Sequence, residues 1–213
     1  MNVALTERRT EEISYNGTSI SLLLDMGVGI GGDKWPAADL FCKLIASDSW
    51  KQTFSKLFSG KRCIELGSGT GIVGILVDKL YNPSEVVITD LEDHMSHIKH
   101  NTSLNSCKTV SLVTYDWMEP LDIGSFDVIL VFECVYREEL YLPLIESLKS
   151  LSHPGTVIML GLTRLFAKPL FFKLLRSNGF YYSMVPQQAL PSDYSSESSG
   201  SDVGLFMCTL DAT

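Results

Sequence analysis

The sequence of 213 residues lacks the features of several protein classes. Its cysteines are irregularly spaced and form no C-x-x-C motif, so we expect neither a disulfide framework nor a metal site. Reduced thiols are typical of a cytosolic or nuclear protein. No apolar run approaches the roughly 18 residues that a membrane helix needs, and the charged N-terminus has no signal-peptide core. We therefore expect a cytoplasmic protein, present also in the nucleus, with no membrane partner.

Basic residues are also in short supply. Lys and Arg number 17 against 25 Asp and Glu, for a formal net charge of −8. An acidic surface repels phosphate backbones, so we expect no nucleic-acid partner. It would suit a basic partner or substrate, although many acidic proteins are simply soluble.

The apolar pattern from Arg62 onward predicts an α/β fold in which short strands alternate with helices. The strands are continuous apolar runs, which is typical of a parallel sheet covered by helices on both faces. The predicted strands are 63–66, 86–89, 110–114, 128–132 and 156–162, and the predicted helices are 72–80, 92–101, 138–151 and 169–177.

Both ends of the chain depart from this alternation. Asn16-Gly17 between the apolar runs 13–15 and 20–24 predicts a β-hairpin, and Pro36 suits the first turn of a helix. Two final strands, 181–185 and 205–209, have no helix between them and predict an antiparallel edge hairpin. The Ser-rich acidic segment 191–202 that joins them predicts an exposed, mobile loop. We expect one domain over residues 1–213: an N-terminal hairpin extension, 1–34, and a Rossmann-like, doubly wound core, 35–213, with seven mostly parallel strands.

A glycine loop follows the first core strand in IELGSGTGIVG, residues 64–74. Gly67, Gly69 and Gly71 allow a sharp turn and a close approach to a ligand at a helix N-terminus. Asp90, which ends the next strand, can accept both hydroxyls of a ribose. Together they predict a nucleoside cofactor, the alternative being a tight turn without a ligand.

The identity of the nucleoside depends on the surroundings of the loop. Residues 69–74 satisfy G-x-G-x-x-G, so a dinucleotide must be considered. Glu65 disfavours it, because a carboxylate there would crowd a pyrophosphate but could steer the amino group of a cationic ligand. The chain has no Y-x-x-x-K pair and no room for a separate substrate domain, and a P-loop is excluded because no G-K-[ST] follows.

The motif E-x-G-x-G-x-G with an acidic residue ending the second strand resembles the S-adenosylmethionine-dependent methyltransferases of the seven-strand class. The likeness runs from Gly31 to the end of the chain. TDLEDHMSHIKHNTSLN, residues 89–105, is similar to the matching segment of the family 16 protein methyltransferases, which mostly methylate lysines of non-histone proteins. The resemblance implies S-adenosyl-L-methionine as cofactor and S-adenosyl-L-homocysteine as product. We expect no metal, and we expect a monomer. It also implies a protein substrate such as an ATPase, a chaperone or a translation factor.

The resemblance also implies roles for individual residues around the cofactor. Gly67, Ser68 and Gly69 would line its methionine part and Asp90 would hold its ribose. Leu91 and Trp117 would flank the adenine, Phe132 would contribute backbone near the sulfonium, and Trp35 would close over the cofactor. Core packing is the alternative for Trp35, Trp117 and Phe132.

The fourth core strand ends in Glu133-Cys134-Val135-Tyr136, where the family has D-x-x-Y. Ligands of open α/β sheets bind at the carboxyl ends of the strands, so we expect Glu133 to face the cofactor cleft. A free lysine has a pKa near 10.4 and must lose a proton before it can accept a methyl group. Glu133 would orient the amine and, secondarily, accept its proton, while Tyr136 would steady the cationic group. The alternative is a helix-capping Glu133 with Tyr136 in the core.

Two other functions stay open. A small-molecule methyltransferase would have a closed apolar acceptor pocket, and a non-catalytic cofactor-binding protein would explain the replacement of the family Asp by Glu133. The target residue could be Lys, Arg or His. His94, His97 and His100 recur at helical spacing, and we expect a solvated helix face there.

Overall fold

A separate hairpin begins the described part of the chain. The computed structural model describes residues 8–163, 168–191 and 203–211. Strands β1 (Arg9–Tyr15) and β2 (Thr18–Leu24) pair antiparallel through Asn16-Gly17, and both turn residues have positive φ. The predicted N-terminal hairpin is therefore confirmed.

The main sheet has seven strands in the order β5-β4-β3-β6-β7-β9-β8. Strands β3 to β7 pair with one another in parallel, and β9 runs antiparallel to both β7 and β8. The order reverses between β3 and β6, so the ligand crevice of this fold lies at their carboxyl ends. The strands are β3 (Arg62–Leu66), β4 (Glu85–Asp90), β5 (Val110–Thr114), β6 (Phe126–Phe132), β7 (Ser152–Thr163), β8 (Phe180–Met184) and β9 (Val203–Leu210).

Helices cover both faces of the sheet, as the continuous apolar strands predict. The first four pack with the hairpin on one face, and the last two pack on the other. They are α1 (Pro36–Ala46), α2 (Lys51–Phe58), α3 (Ile72–Tyr81), α4 (Glu92–Leu104), α5 (Tyr141–Ser150) and α6 (Pro169–Ser177). The doubly wound, mostly parallel architecture with an antiparallel C-terminal edge is therefore confirmed.

Two local predictions need correction. Helix α2 is missing from the predicted helices. Only Phe54 and Phe58 of its eight residues are buried, so its sequence offers few apolar residues from which a helical period can be read. The predicted helix 138–151 is split: Glu138–Leu140 form a 3-10 turn, and α5 follows.

The remaining expectations on chain organisation are not resolved by the fold. The segment 191–202, predicted to be an exposed loop, lies outside the described residues except for Pro191. That residues 1–213 form one domain, with an N-terminal extension ending at residue 34, stays a prediction. None of the helices within the described ranges is both long and apolar enough to cross a bilayer.

Candidate functional site

The glycine loop between β3 and α3 needs glycine for both conformation and space. Gly67, Gly69 and Gly71 have φ of 59°, 57° and 76°, a region that other residues rarely adopt. A Cβ at Gly67 would lie 2.8 Å from the Sγ of Cys134, and one at Gly69 would lie 2.9 Å from the carbonyl oxygen of Gly31. The loop backbone thus packs closely against the segments that contain Cys134 and Gly31, and Gly67 and Gly69 also line the cleft.

Glu65 lies beneath this loop as a buried carboxyl group. Its Oε2 accepts a hydrogen bond of 2.8 Å from the backbone N–H of Gly74 in the first turn of α3. Burial raises the pKa of Glu65 to about 8, and the nearby Asp90 adds to the shift. The group also lines the cleft, so a cation bound there would favour its ionised form.

Asp90 closes β4 at the mouth of the crevice. Its two oxygens accept hydrogen bonds from the N–H of Gly69 at 2.7 Å and of Leu91 at 2.8 Å. Ser68 of the loop is also bonded to β4: its Oγ donates a hydrogen bond of 2.9 Å to the carbonyl of Thr89. The carboxylate and the loop are therefore fixed relative to each other, and both line the cleft.

The glycine-rich segment after the hairpin packs over the loop. It forms two 3-10 turns, Met26–Val28 and Ile30–Gly32. The indole N–H of Trp35, which precedes α1, donates to the carbonyl of Ile30 at 2.7 Å. A Cβ at Gly31 would lie only 3.0 Å from the Nδ1 of His94 and 3.3 Å from the Cα of Gly69. The hydrogen bond of Trp35 thus fixes the position of the Ile30–Gly32 turn, which borders the cleft.

Glu133 is tied to three backbone and side-chain donors. Its φ is +57°, a left-handed value for a residue other than glycine. Oε1 accepts from the N–H of Ala37 at 3.1 Å and from the Oγ1 of Thr163 at 2.8 Å, and Oε2 accepts from the N–H of Thr163 at 2.9 Å. The carboxylate therefore caps α1 and joins it to β7, so the helix-capping alternative describes part of its role. A carboxylate has about four acceptor positions, which leaves roughly one, on Oε2.

Tyr136 and Phe132 occupy different environments on either side of Glu133. Tyr136 is 44% exposed and borders the cleft, as expected for a residue of the site, so the alternative of a core tyrosine is excluded; partial burial raises its pKa. The ring of Phe132 is buried and packs on Phe41 with centroids 4.7 Å apart. Strand packing therefore holds the Phe132 side chain while the residue also lines the cleft.

These residues surround one cleft of about 420 Å³, a size in the range of about 300–1,000 Å³ that small-molecule sites have. Of the twelve residues that the sequence singles out, all except Gly71 line it; Gly71 lies behind them as the N-cap of α3. Leu91 and Trp117 provide apolar surface, and Glu65 and Asp90 provide carboxylates. This donor set suits a cationic nucleoside and fits S-adenosylmethionine.

The sequence missed several lining residues, among them Asp33, His94, Tyr115 and Asp116. The expectation of a solvated histidine face was wrong: His97 is 4% exposed and His94 borders the cleft, and only His100 is exposed. Ile98, next to His97, and Asn101, about one helical turn later, are also buried. Their shared face of α4 could have indicated that His97 is buried. In the part of the chain that the structure describes, no cluster of three or more His, Cys, Asp or Glu could hold a metal.

A doubly wound sheet with this glycine loop and an acidic cleft is typical of enzymes that bind a nucleoside cofactor. A family model described as lysine methyltransferase matches residues 14–178. The chain therefore belongs to the lysine methyltransferase family, and the resemblance inferred from the sequence is confirmed.

Individual relatives agree with this assignment. Protein-lysine N-methyltransferase EFM6 of Saccharomyces cerevisiae is 30% identical over 70% of this chain and 71% of its own length. EEF1A lysine methyltransferase 3 of Xenopus tropicalis is 35% identical over 71% of this chain and 68% of its own. The T. thermophilus 16S rRNA N2 G1207 methyltransferase RsmC, solved with AdoMet and guanosine, superposes with a TM-score of 0.71 over 95% of this chain and 50% of that one. At 15% identity, that likeness shows the fold alone.

Proposed function

We propose that this protein transfers a methyl group from S-adenosylmethionine to a side-chain nitrogen, specifically a lysine, of a protein substrate. The observation that carries the proposal is the charge of the cleft. Its described lining includes five carboxyl groups and no Lys or Arg; the acidic residues are Asp33, Glu65, Asp90, Asp116 and Glu133. Such a lining attracts a cationic cofactor and a lysine ammonium alike.

S-adenosylmethionine supplies an electrophilic methyl group when it is bound. On the protein side, Glu65 would hold the amino group and Asp90 the ribose hydroxyls. Leu91 and Trp117 would flank the adenine, and Trp35 would close the cleft. All of these residues line the same cleft as the glycine loop, which supports the assignments.

Glu133 and Tyr136 would act on the incoming amine. Three donors fix the Glu133 carboxylate, and its remaining acceptor position on Oε2 would receive a hydrogen bond from the lysine nitrogen. Tyr136, half exposed at the cleft, would narrow the channel and steady the cationic group through its ring. The amine would thereby be aimed before it accepts the methyl group. We assign Glu133 the orienting role first, because protein donors already occupy about three of the four acceptor positions of its carboxylate.

The partner and the location are further parts of the proposal. The relatives' names support a protein substrate, and an ATPase, a chaperone or a translation factor remains our proposed class, with the enzyme acting as a monomer. Five free cysteines suit the cytosol, with the nucleus as a second compartment. The relatives' names favour this reading over a small-molecule enzyme.

Substitution of Glu133 tests the proposed role against a purely capping one. Glu133→Gln should lower methyl transfer about 100-fold or more while changing the affinity for S-adenosylhomocysteine less than about threefold. Thr163→Val is the matched control, because it removes one hydrogen bond to the same carboxylate and leaves the carboxylate in place. We expect the control to retain most of the activity. Equal losses in both variants, or loss of transfer together with cofactor affinity, would make Glu133 a structural residue.

A further inference from the structure

Two asparagines of α4 serve the N-terminal hairpin as a substitute for a neighbouring strand. The N–H of Leu23 donates to the Oδ1 of Asn101 at 2.8 Å, and the Nδ2 of Asn101 returns a bond of 3.3 Å to the carbonyl of Leu23. Asn105 repeats the pattern with Ser21, at 3.0 Å and 2.7 Å. Both asparagines are buried. The free edge of β2 is therefore satisfied by side-chain amides.

The match follows from the geometry of the two elements. Four residues of a helix rise about 6 Å, and two residues of a strand rise about 6.6 Å. Residues 101 and 105 of α4 therefore stay in step with residues 23 and 21 of β2, which present their N–H and C=O groups on the edge away from β1. A helix thus holds a strand in one register.

Asn101 differs from Asn105 in one contact. Its Nδ2 also donates to the carbonyl of Thr70 at 3.0 Å, between Gly69 and Gly71 in the glycine loop. The additional bond of Asn105 goes instead to the carbonyl of Asn101, within α4. One amide group therefore joins the hairpin to the loop that borders the cofactor cleft.

The geometry points to Asn101 as a positioning residue that couples the order of the N-terminal hairpin to cofactor binding. The residue lies beneath the loop, and Thr70 is itself buried. It fixes a peptide unit whose neighbours on both sides have left-handed conformations. Ordering of the hairpin and ordering of the loop therefore reinforce each other. Because such coupling is reciprocal, a ligand in the cleft must in turn protect the bond between Asn101 and Leu23.

The test is calorimetric titration of the full chain with S-adenosylhomocysteine in two matched variants. Asn101→Asp and Asn105→Asp make the same chemical change one helical turn apart: each keeps an acceptor and loses the amide donor. Asn101→Asp should weaken binding roughly tenfold, and Asn105→Asp less than about twofold. Both should lower the melting temperature, so thermal stability alone does not separate them. Equal effects on affinity, or none for a folded Asn101→Asp, would overturn the proposal.

Hydrogen exchange of the wild-type protein keeps the proposal testable if Asn101→Asp does not fold. S-adenosylhomocysteine should slow exchange at the N–H of Leu23 more than at the N–H of Ser21. Equal protection at both, or none at either, would contradict the coupling. The proposal rests on the cofactor assignment, whose failure is distinguishable: wild-type protein would then not bind S-adenosylhomocysteine at all.

Discussion

Binding of the cofactor should release a proton from Glu65. Burial raises the pKa of this carboxyl group to about 8, so at pH 7 only about one molecule in ten carries it ionised. If the cationic amino group of the cofactor binds the ionised form, about 0.9 proton leaves the site at pH 7. The ionised fraction rises about fivefold between pH 7 and pH 8, and the affinity that depends on it should rise equally.

The assay is calorimetry in buffers that differ in ionisation enthalpy, with Glu65→Gln as the control. The amide can still accept the hydrogen bond from Gly74, and the comparison cancels the titration of the ligand's own amino group. Wild-type protein should release about 0.9 proton more than Glu65→Gln at pH 7. Equal proton release, or a ratio of affinities that does not change with pH, would refute the placement of the amino group at Glu65.

Three further predictions concern stability and the shape of the cleft. Burial lowers the pKa of His97 below 6.5. The neutral side chain therefore contributes fully to the free energy of unfolding above pH 6.5, and this contribution falls as the pH drops towards the folded-state pKa. Urea melts at pH 7.5 and 5.5 should show this loss in wild-type protein and not in His97→Leu. Gly69→Ala should weaken cofactor binding about tenfold or more, because its Cβ would meet Gly31 at 2.9 Å and its φ is +57°; unchanged affinity would mean that the loop tolerates a shift. Trp35→Phe should cost about fivefold in affinity, whereas Trp50→Phe, which loses a similar indole bond outside the cleft, should cost none.

Much of the fold follows from local sequence signals. The Asn16-Gly17 turn and the continuous apolar strands each contain the cause of their structure, since positive φ and burial on both faces restrict the residues that can occur there. Helix α2 gives no such signal, because it buries only Phe54 and Phe58. Its place depends on tertiary packing, where Phe54 contacts Phe41 with ring centroids 5.8 Å apart.

The site shows the same division between local and distant causes. The glycine loop and Asp90 can be placed in the cleft from sequence, because topology brings the carboxyl ends of adjacent strands together. The binding partners of Glu133 could not, since Ala37 and Thr163 lie 96 and 30 residues away in the chain. The burial of His97 likewise depends on the segment that follows β2: Ile98 and Asn101 mark the inward face of α4, but the helix alone does not show which distant segment covers His97.

Transfer of labelled methyl groups from S-adenosylmethionine to proteins of a cell lysate tests the central claim most directly. The protein fraction would be hydrolysed and its labelled amino acids separated, with Glu133→Gln as the negative control. The account predicts label in methyl-lysine that depends on the wild-type enzyme. Label confined to small molecules, label in another amino acid, or no transfer by a protein that binds S-adenosylhomocysteine would contradict it.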